Sequence, residues 1–329
     1  YPMRTPKKHR RRLWIGVAIL VLLLVVLHGG TFKQSEKTIF TVSRTAGMFD
    51  IRDKLLQAES MQGRWLFDIP LWLHGGYWRI QPGGYVIDPS MTSWQIAGIL
   101  TSPPALKWVV IPEGFRKEQV ALRLQRDLGW DDAKREAFLH VATDTPYDLT
   151  DGFYFPDTYL IPADEDVVAV TKRFINRFND NFAPYVTSLR DANIKYDKAI
   201  KMASIIQREA GGQADMPVIA GVLWNRLLIN MPLEIDATLQ YLRGDTGSGS
   251  WAPIDIAVKK IDSPYNTYMY KGLPPSPISN PGLDAIEAVL HPADTKCLFY
   301  LHDNNRQIHC SETYEGHLEN IEKYLRNPK

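Results

Sequence analysis

Val109-Val110-Ile111-Pro112-Glu113-Gly114-Phe115-Arg116-Lys117-Glu118-Gln119-Val120-Ala121-Leu122-Arg123-Leu124 reads as a short strand, a turn and a helix with Val120 and Leu124 on one face. The β-branched run suits a strand, and residues four apart stack on the same side of a helix. The spacing occurs twice more upstream. Phe40 of Phe40-Thr41-Val42 is followed by Ile51 and Leu55, and Tyr85 of Tyr85-Val86-Ile87 by Ile96 and Leu100. Three strand–turn–helix units over residues 38–128 predict a small α+β module. Three points per unit argue for packing before they argue for binding.

Upstream of the module the chain changes character. Arg4, Lys7, Lys8, Arg10, Arg11 and Arg12 crowd the first twelve positions with no acid among them. The formal charge of +1 conceals them: without these six, 32 basic residues face 37 acidic ones, a net −5. A mildly acidic body argues against a nucleic-acid groove. The following stretch, Leu13–Phe32, carries no charge until Lys33. As a helix it would run roughly 30 Å, one hydrocarbon thickness. A cleaved signal peptide is the rival reading, but His28-Gly29-Gly30 puts a histidine where a cleavage site wants a small residue, which favours an uncleaved anchor. The positive-inside rule then predicts a cytoplasmic basic tail at 1–12, a single transmembrane helix at 13–32 and the rest outside the membrane. With 329 residues and 45% hydrophobic side chains, the chain is neither disordered nor collagen-like.

Downstream, residues 131–329 read as a second, mainly helical domain. Helices are expected at 198–210, about 216–229 and 282–290. Residues 231–281 are aromatic and rich in Pro and Gly, and a long aperiodic stretch inside a compact domain commonly lines something functional. Residues 297–326 read as a β-hairpin followed by a helix. Cys297 and Cys310 flank that hairpin, which would set them nearly opposite each other. A disulfide and two unpaired thiols are both compatible with this spacing. No CxxC or HExxH spacing, glycine-rich phosphate loop or clustered histidines point to a metal or cofactor.

The stretch 198–212 carries the candidate chemistry. Lys201, Ser204 and Arg208 form a polar stripe, but Glu209 shares the face of Met202, Ile205 and Ile206. It also sits in the last turn, where the negative end of the helix dipole opposes another negative charge. Apolar surroundings and the dipole both push its pKa upward, as a general acid for glycosidic cleavage requires. A glutamate bending from a frayed helix end into solvent is the plain alternative.

Several motifs then carry a resemblance in order along the chain. Met202-Ala203-Ser204-Ile205-Ile206-Gln207-Arg208-Glu209 resembles the catalytic helix of the YceG-like family of endolytic murein transglycosylases. Asp151-Gly152-Phe153-Tyr154-Phe155-Pro156-Asp157-Thr158-Tyr159 is similar to its EGxxxPDTY segment. Asn225-Arg226-Leu227 with Met231–Tyr241 resembles its NRL…MxLxxDPTxxY run. Tyr265-Asn266-Thr267-Tyr268 and Gly272-Leu273-Pro274-Pro275-Ser276-Pro277-Ile278 match YNTY and GLPPxPI. Pro112-Glu113-Gly114, His291-Pro292-Ala293 and His309…Thr313-Tyr314-Glu315…His317 also fit. Three departures stand out: Gln207 replaces the first glutamate of an ExE pair, Ala237 replaces the usual Pro after Asp236, and Asp151 replaces a Glu.

The resemblance implies a LysM-like module at 38–128 joined to a lysozyme-like catalytic domain at 131–329. It implies Glu209 as the acid/base that cleaves between N-acetylmuramic acid and N-acetylglucosamine, leaving 1,6-anhydro ends. It further implies peptidoglycan strands as substrate, partnership with peptidoglycan synthases in the same inner membrane, a periplasmic active site and a role in ending glycan growth. Asp236 is the obvious second carboxylate, with a helix-capping role as its alternative. Thr238, Gln240, Tyr265, Asn266, Thr267 and Tyr268 are candidates for sugar stacking and hydrogen bonding, and Tyr154, Asp157 and Tyr159 are weaker ones. A lysozyme-type muramidase and a non-catalytic, membrane-tethered glycan-binding protein are the competing functions.

Overall fold

The computed structural model describes residues 14–21, 37–58, 65–88, 90–141, 151–247 and 249–326. Residues 14–21 are helical. The basic tail at 1–12 and the remainder of the expected span at 13–32 lie outside the described residues. No described helix is long and apolar enough to cross a membrane.

The chain divides into two compact units, residues 1–109 with 159–164 and residues 110–158 with 165–329. The first unit opens with β1 (Thr38–Val42), α1 (Met48–Ala58), α2 (Trp65–Leu73), β2 (Gly83–Ile87), α3 (Ser93–Leu100) and β3 (Leu106–Val110). After α4 (Lys117–Leu124) and α5 (Asp132–Leu139), β4 (Thr158–Pro162) completes a sheet of order β1-β2-β3-β4. Strands β1 and β2 run antiparallel with Phe40 opposite Tyr85. Phe40 and Tyr85 are buried with Ile51, Leu55, Ile96 and Leu100 in one core, so two of the repeats pack together. Val109, Val120 and Leu124 of the third repeat are fully buried too. That repeat is shared: its strand belongs to the sheet of the first unit and its helix to the second unit.

The second unit continues with α6 (Val167–Asp191), α7 (Tyr196–Glu209), α8 (Met216–Leu228), α9 (Asp236–Arg243) and α10 (Leu283–Leu290). The hairpin β5 (Phe299–His302) and β6 (Ile308–Ser311) and a last helix, α11 (Tyr314–Ile321), follow. The architecture is thus mixed α+β, with a small antiparallel sheet and a C-terminal hairpin. Helix α7 runs through the core, with Ala199, Ile200, Met202, Ala203, Ile205 and Ile206 all fully buried. Ser204 is buried with them rather than lying on a solvated stripe. Its hydroxyl donates to the Lys201 carbonyl at 2.7 Å and accepts the Ile278 amide at 3.0 Å, so its polarity is satisfied internally. Helix α8 approaches the segment before the hairpin closely, because a Cβ at Gly221 would lie 2.6 Å from the Ala293 carbonyl oxygen.

Candidate functional site

Because one apolar face holds α7 in the core, its last residue is delivered to the unit's interior. The Glu209 carboxylate receives a 2.8 Å hydrogen bond from the Tyr300 hydroxyl on β5. The amide of Ala237, in the first turn of α9, also donates to it. Burial raises the Glu209 pKa above the ordinary glutamate value and is the strongest influence. The Tyr300 and Ala237 hydrogen bonds work against it, and the charge of Asp236 adds to it. The Tyr300 hydroxyl is itself driven well above the ordinary tyrosine range by burial and then by Glu209, so it acts as a donor.

Two struts hold this contact. His302, two residues along the same strand face, meets the Asp215 carboxylate at 3.1 Å, and Asp215 also accepts the Gly211 amide just past α7. Arg226 donates to the Leu298, Pro232 and Leu233 carbonyls and pairs with Glu234 at 3.1 Å. Its neighbour Asn225 donates to the carbonyls of Thr295 and Cys297. Asn225-Arg226 therefore pins the hairpin to α8. Cys297 and Cys310 are disulfide-bonded, which closes the hairpin that carries Tyr300.

The opposite wall is the entry to α9. The Thr267 hydroxyl accepts the Ile235 amide at 3.0 Å and lies 2.9 Å from the Thr238 hydroxyl, while the Thr267 carbonyl accepts the Glu234 amide. These buried threonines supply the cap that Ile235 cannot give from its own side chain. Glu234 is held at φ +55°, a left-handed conformation uncommon for a non-glycine residue. Asp236 accepts a 2.6 Å hydrogen bond from the Tyr268 hydroxyl, and Lys259 stands 3.5 Å from the same oxygen. Burial, then Asp236, pushes the Tyr268 hydroxyl upward, so it too is a donor. Glu209, Glu234, Asp236, Tyr268 and Tyr300 share one open cavity of about 460 Å³, also lined by side chains of α8 and α11.

Of the residues nominated from sequence, Glu209, Asp236 and Tyr268 line this cavity. Thr238 and Thr267 lie buried behind it. Asn266 is also buried, its amide donating to the Lys259 and Ile261 carbonyls and thereby shaping the loop. Tyr265 packs on Tyr241 and pairs with the Ser276 hydroxyl, while Gln240 donates to the Trp251 and Ala252 carbonyls. Tyr154 sits in an aromatic cluster with Phe138 and Phe174. Asp157 pairs with Arg177 at 2.6 Å, and Tyr159 belongs to β4. None of these three lines the cavity. Sequence reasoning does not single out Tyr300, His302, Asp215 or Glu234; only the two-residue alternation of Tyr300 and His302 in the hairpin points to a shared face. Among the described residues, no cluster of three or more His, Cys, Asp or Glu side chains is placed to hold a metal ion.

Comparison with known proteins agrees with the arrangement of motifs. The family model described as the YceG-like family matches residues 40–323. The chain belongs to the YceG-like family. Relatives named endolytic murein transglycosylase come from Bacillus subtilis (strain 168), 32% identical over 64% of this chain and 59% of that protein, and from Streptococcus pneumoniae serotype 2 (strain D39 / NCTC 7466), 26% identical over 76% and 51%. The chain thus spans about half the length of the curated relatives it matches. A crystal structure of a YceG-like protein from Listeria monocytogenes matches with a TM-score of 0.58 and 26% identity, over 87% of this chain and 99% of that one.

Within this YceG-like chain, the departure at Gln207 has a local reason. Its side-chain amide donates to Glu113 at 3.1 Å, and its carbonyl oxygen accepts the Gly282 amide at 2.9 Å. A carboxylate at position 207 would instead face that of Glu113, whose pKa burial already raises. The departure at Ala237 matters in another way, since proline has no amide to give Glu209.

Proposed function

We propose that this chain is a membrane-anchored endolytic murein transglycosylase in which Glu209 is the single acid/base. The observation that carries the reading is the contrast among the cavity's carboxylates. Glu234 pairs with Arg226 and Asp236 with Lys259, whereas Glu209 has no ion-pair partner among the described residues and is held by neutral donors. A carboxyl removed from water and held by neutral donors has its pKa pushed upward and keeps its proton more readily than an ordinary glutamate.

In the proposed reaction, protonated Glu209 gives its proton to the oxygen leaving C1 of N-acetylmuramic acid. The resulting carboxylate then takes the proton of that sugar's C6 hydroxyl as its oxygen bonds to C1. The glycosidic bond breaks, a 1,6-anhydro ring forms, and Glu209 ends protonated as it began. Intramolecular attack uses proximity in place of an activated water, so no second base is required. The Tyr300 hydroxyl and the Ala237 amide orient the carboxyl for the transfer. Asp236 and Tyr268 suit hydrogen bonding to the sugar. The basic cluster with Leu13–Phe32 supports a single-pass anchor in the inner membrane, with the cavity on the periplasmic side. Family resemblance supports strand binding by the first unit as a LysM-like module, partnership with peptidoglycan synthases and termination of glycan growth.

Mass spectrometry of fragments released from purified glycan strands tests the reading. Internal cuts ending in 1,6-anhydro-N-acetylmuramic acid, abolished by Glu209→Gln, are expected. Reducing ends would assign a muramidase, and undiminished cellular function of Glu209→Gln would assign a non-catalytic glycan-binding protein.

A further inference from the structure

Helix α2 and the turn after it present an exposed apolar face in the first unit. Ile69, Trp72 and Leu73 share one side of α2 by their spacing, and Trp72 and Leu73 are 69% and 55% exposed. Trp78, 77% exposed, lies over Gly76, so its indole returns to the end of the same helix. The acid on α2, Asp68, is occupied by a 2.7 Å hydrogen bond from the Tyr77 hydroxyl, and Arg79 is exposed beside Trp78. Two solvent-exposed tryptophans flanking aliphatic side chains form a surface that water does not favour.

The chain's own length bounds how far this face can lie from the bilayer. Only residues 33–37 separate the apolar stretch ending at Phe32 from β1 at Thr38, about 20 Å when fully extended. A unit on so short a tether must hold one of its faces near the lipid headgroups. We propose that the Ile69–Trp72–Leu73–Trp78 face docks into the headgroup region of the bilayer that Leu13–Phe32 enters. This rests on the anchor proposed above. Indoles partition to that interface, with the ring apolar and the N–H wet, and Arg79 complements anionic headgroups. A glycan strand is the weaker match, because Ile69 and Leu73 offer no hydrogen bonds to hydroxyl groups. Docking here would set the first unit in one orientation on the membrane.

The test uses the full chain reconstituted in phosphatidylethanolamine–phosphatidylglycerol vesicles, with or without bromine on the acyl chains. The wild type is compared with Trp72→Phe, Trp78→Phe and the double variant, each checked by near-ultraviolet circular dichroism. Because both positions are exposed, at least one single variant should fold normally and report. The emission that the substitutions remove should lose most of its intensity in brominated vesicles and resist aqueous acrylamide. Indoles quenched by acrylamide and untouched by bromolipid overturn the docking while leaving the anchor standing. Protection of the two indoles only when purified glycan strands are added also overturns it, in favour of a sugar-binding face. A chain washed off the vesicles at alkaline pH overturns the anchor itself, and the docking with it.

Discussion

The two ends of the cavity hold carboxylates by opposite means. At the α7 end, Glu209 is enclosed by the hairpin and met by neutral donors, Tyr300 and the Ala237 amide. At the α9 end, Asp236 is half exposed and engaged by the Lys259 ammonium and the Tyr268 hydroxyl. Burial among neutral hydrogen-bond donors favours the protonated form of Glu209, whereas Asp236 is fixed in place by the lysine and tyrosine beside it. One cavity thereby offers an acid at one end and a fixed hydrogen-bond acceptor at the other.

The largest expected effect breaks this asymmetry directly. Glu209→Gln should reduce strand cleavage by about 10³-fold or more, while Asp236→Asn should cost roughly tenfold, mainly in KM. Equal losses in kcat would mean that both carboxylates take part in the chemistry. The same Glu209 variant carries a stability signature. A carboxyl raised by burial contributes stability that is present below the ordinary glutamate pKa and lost as pH rises through the raised value. The substituted amide cannot ionise, so the variant's gain in Tm over wild type should be absent in acid and grow with pH through that window.

Next in size is the staple of the α7 end. Cys297→Ser with Cys310→Ser opens a bridge spanning 13 residues. Chain entropy alone puts its worth at about 3 kcal/mol. Thermal unfolding should register the loss, and the frayed hairpin should lower cleavage by loosening Tyr300 while leaving the Asp236–Lys259–Tyr268 end in place. A reduced protein of unchanged activity would show that Arg226, Asn225 and His302 hold Tyr300 without the bridge.

A smaller effect separates donor from scaffold. Tyr300→Phe removes the 2.8 Å hydrogen bond that holds the Glu209 pKa down, so that pKa should rise further. The alkaline limb of the pH–rate profile should therefore move upward, with kcat falling roughly tenfold through lost positioning. A fall in kcat with an unmoved limb would leave Tyr300 as packing only.

The halves of this comparison are not equally legible in sequence. Periodicity places Met202, Ile205 and Ile206 beneath Glu209, and the helix, its burial and its last-turn position follow from that spacing. The three repeats likewise identify nine positions that are all buried, although spacing cannot tell that the third splits between two units. Tyr300 is invisible because it reaches Glu209 across 91 positions through a hairpin whose docking depends on Arg226 and Asp215. The aromatic motifs suggest sugar binding throughout, because a tyrosine's chemistry does not reveal its surroundings. The fold sends Tyr154 to the core, Tyr268 to the cavity, and Thr267 behind it as a cap.

The finest distinction lies at Ala237. Its amide belongs to the first turn of α9, where helix geometry leaves N–H groups without intrahelical partners, and it is spent on Glu209. Proline fits a first helical turn because no ladder bond is lost there, so Ala237→Pro should fold with little change in Tm. What it removes is a donor to the carboxylate. The Glu209 pKa should rise, and the alkaline limb should move upward by less than in Tyr300→Phe, since the Tyr300 bond is the stronger of the two influences. Ala237→Ser keeps the amide and should leave the limb where it is. If proline shifts nothing while Tyr300→Phe does, the carboxylate is controlled from the hairpin alone, and the two ends of the cavity act independently.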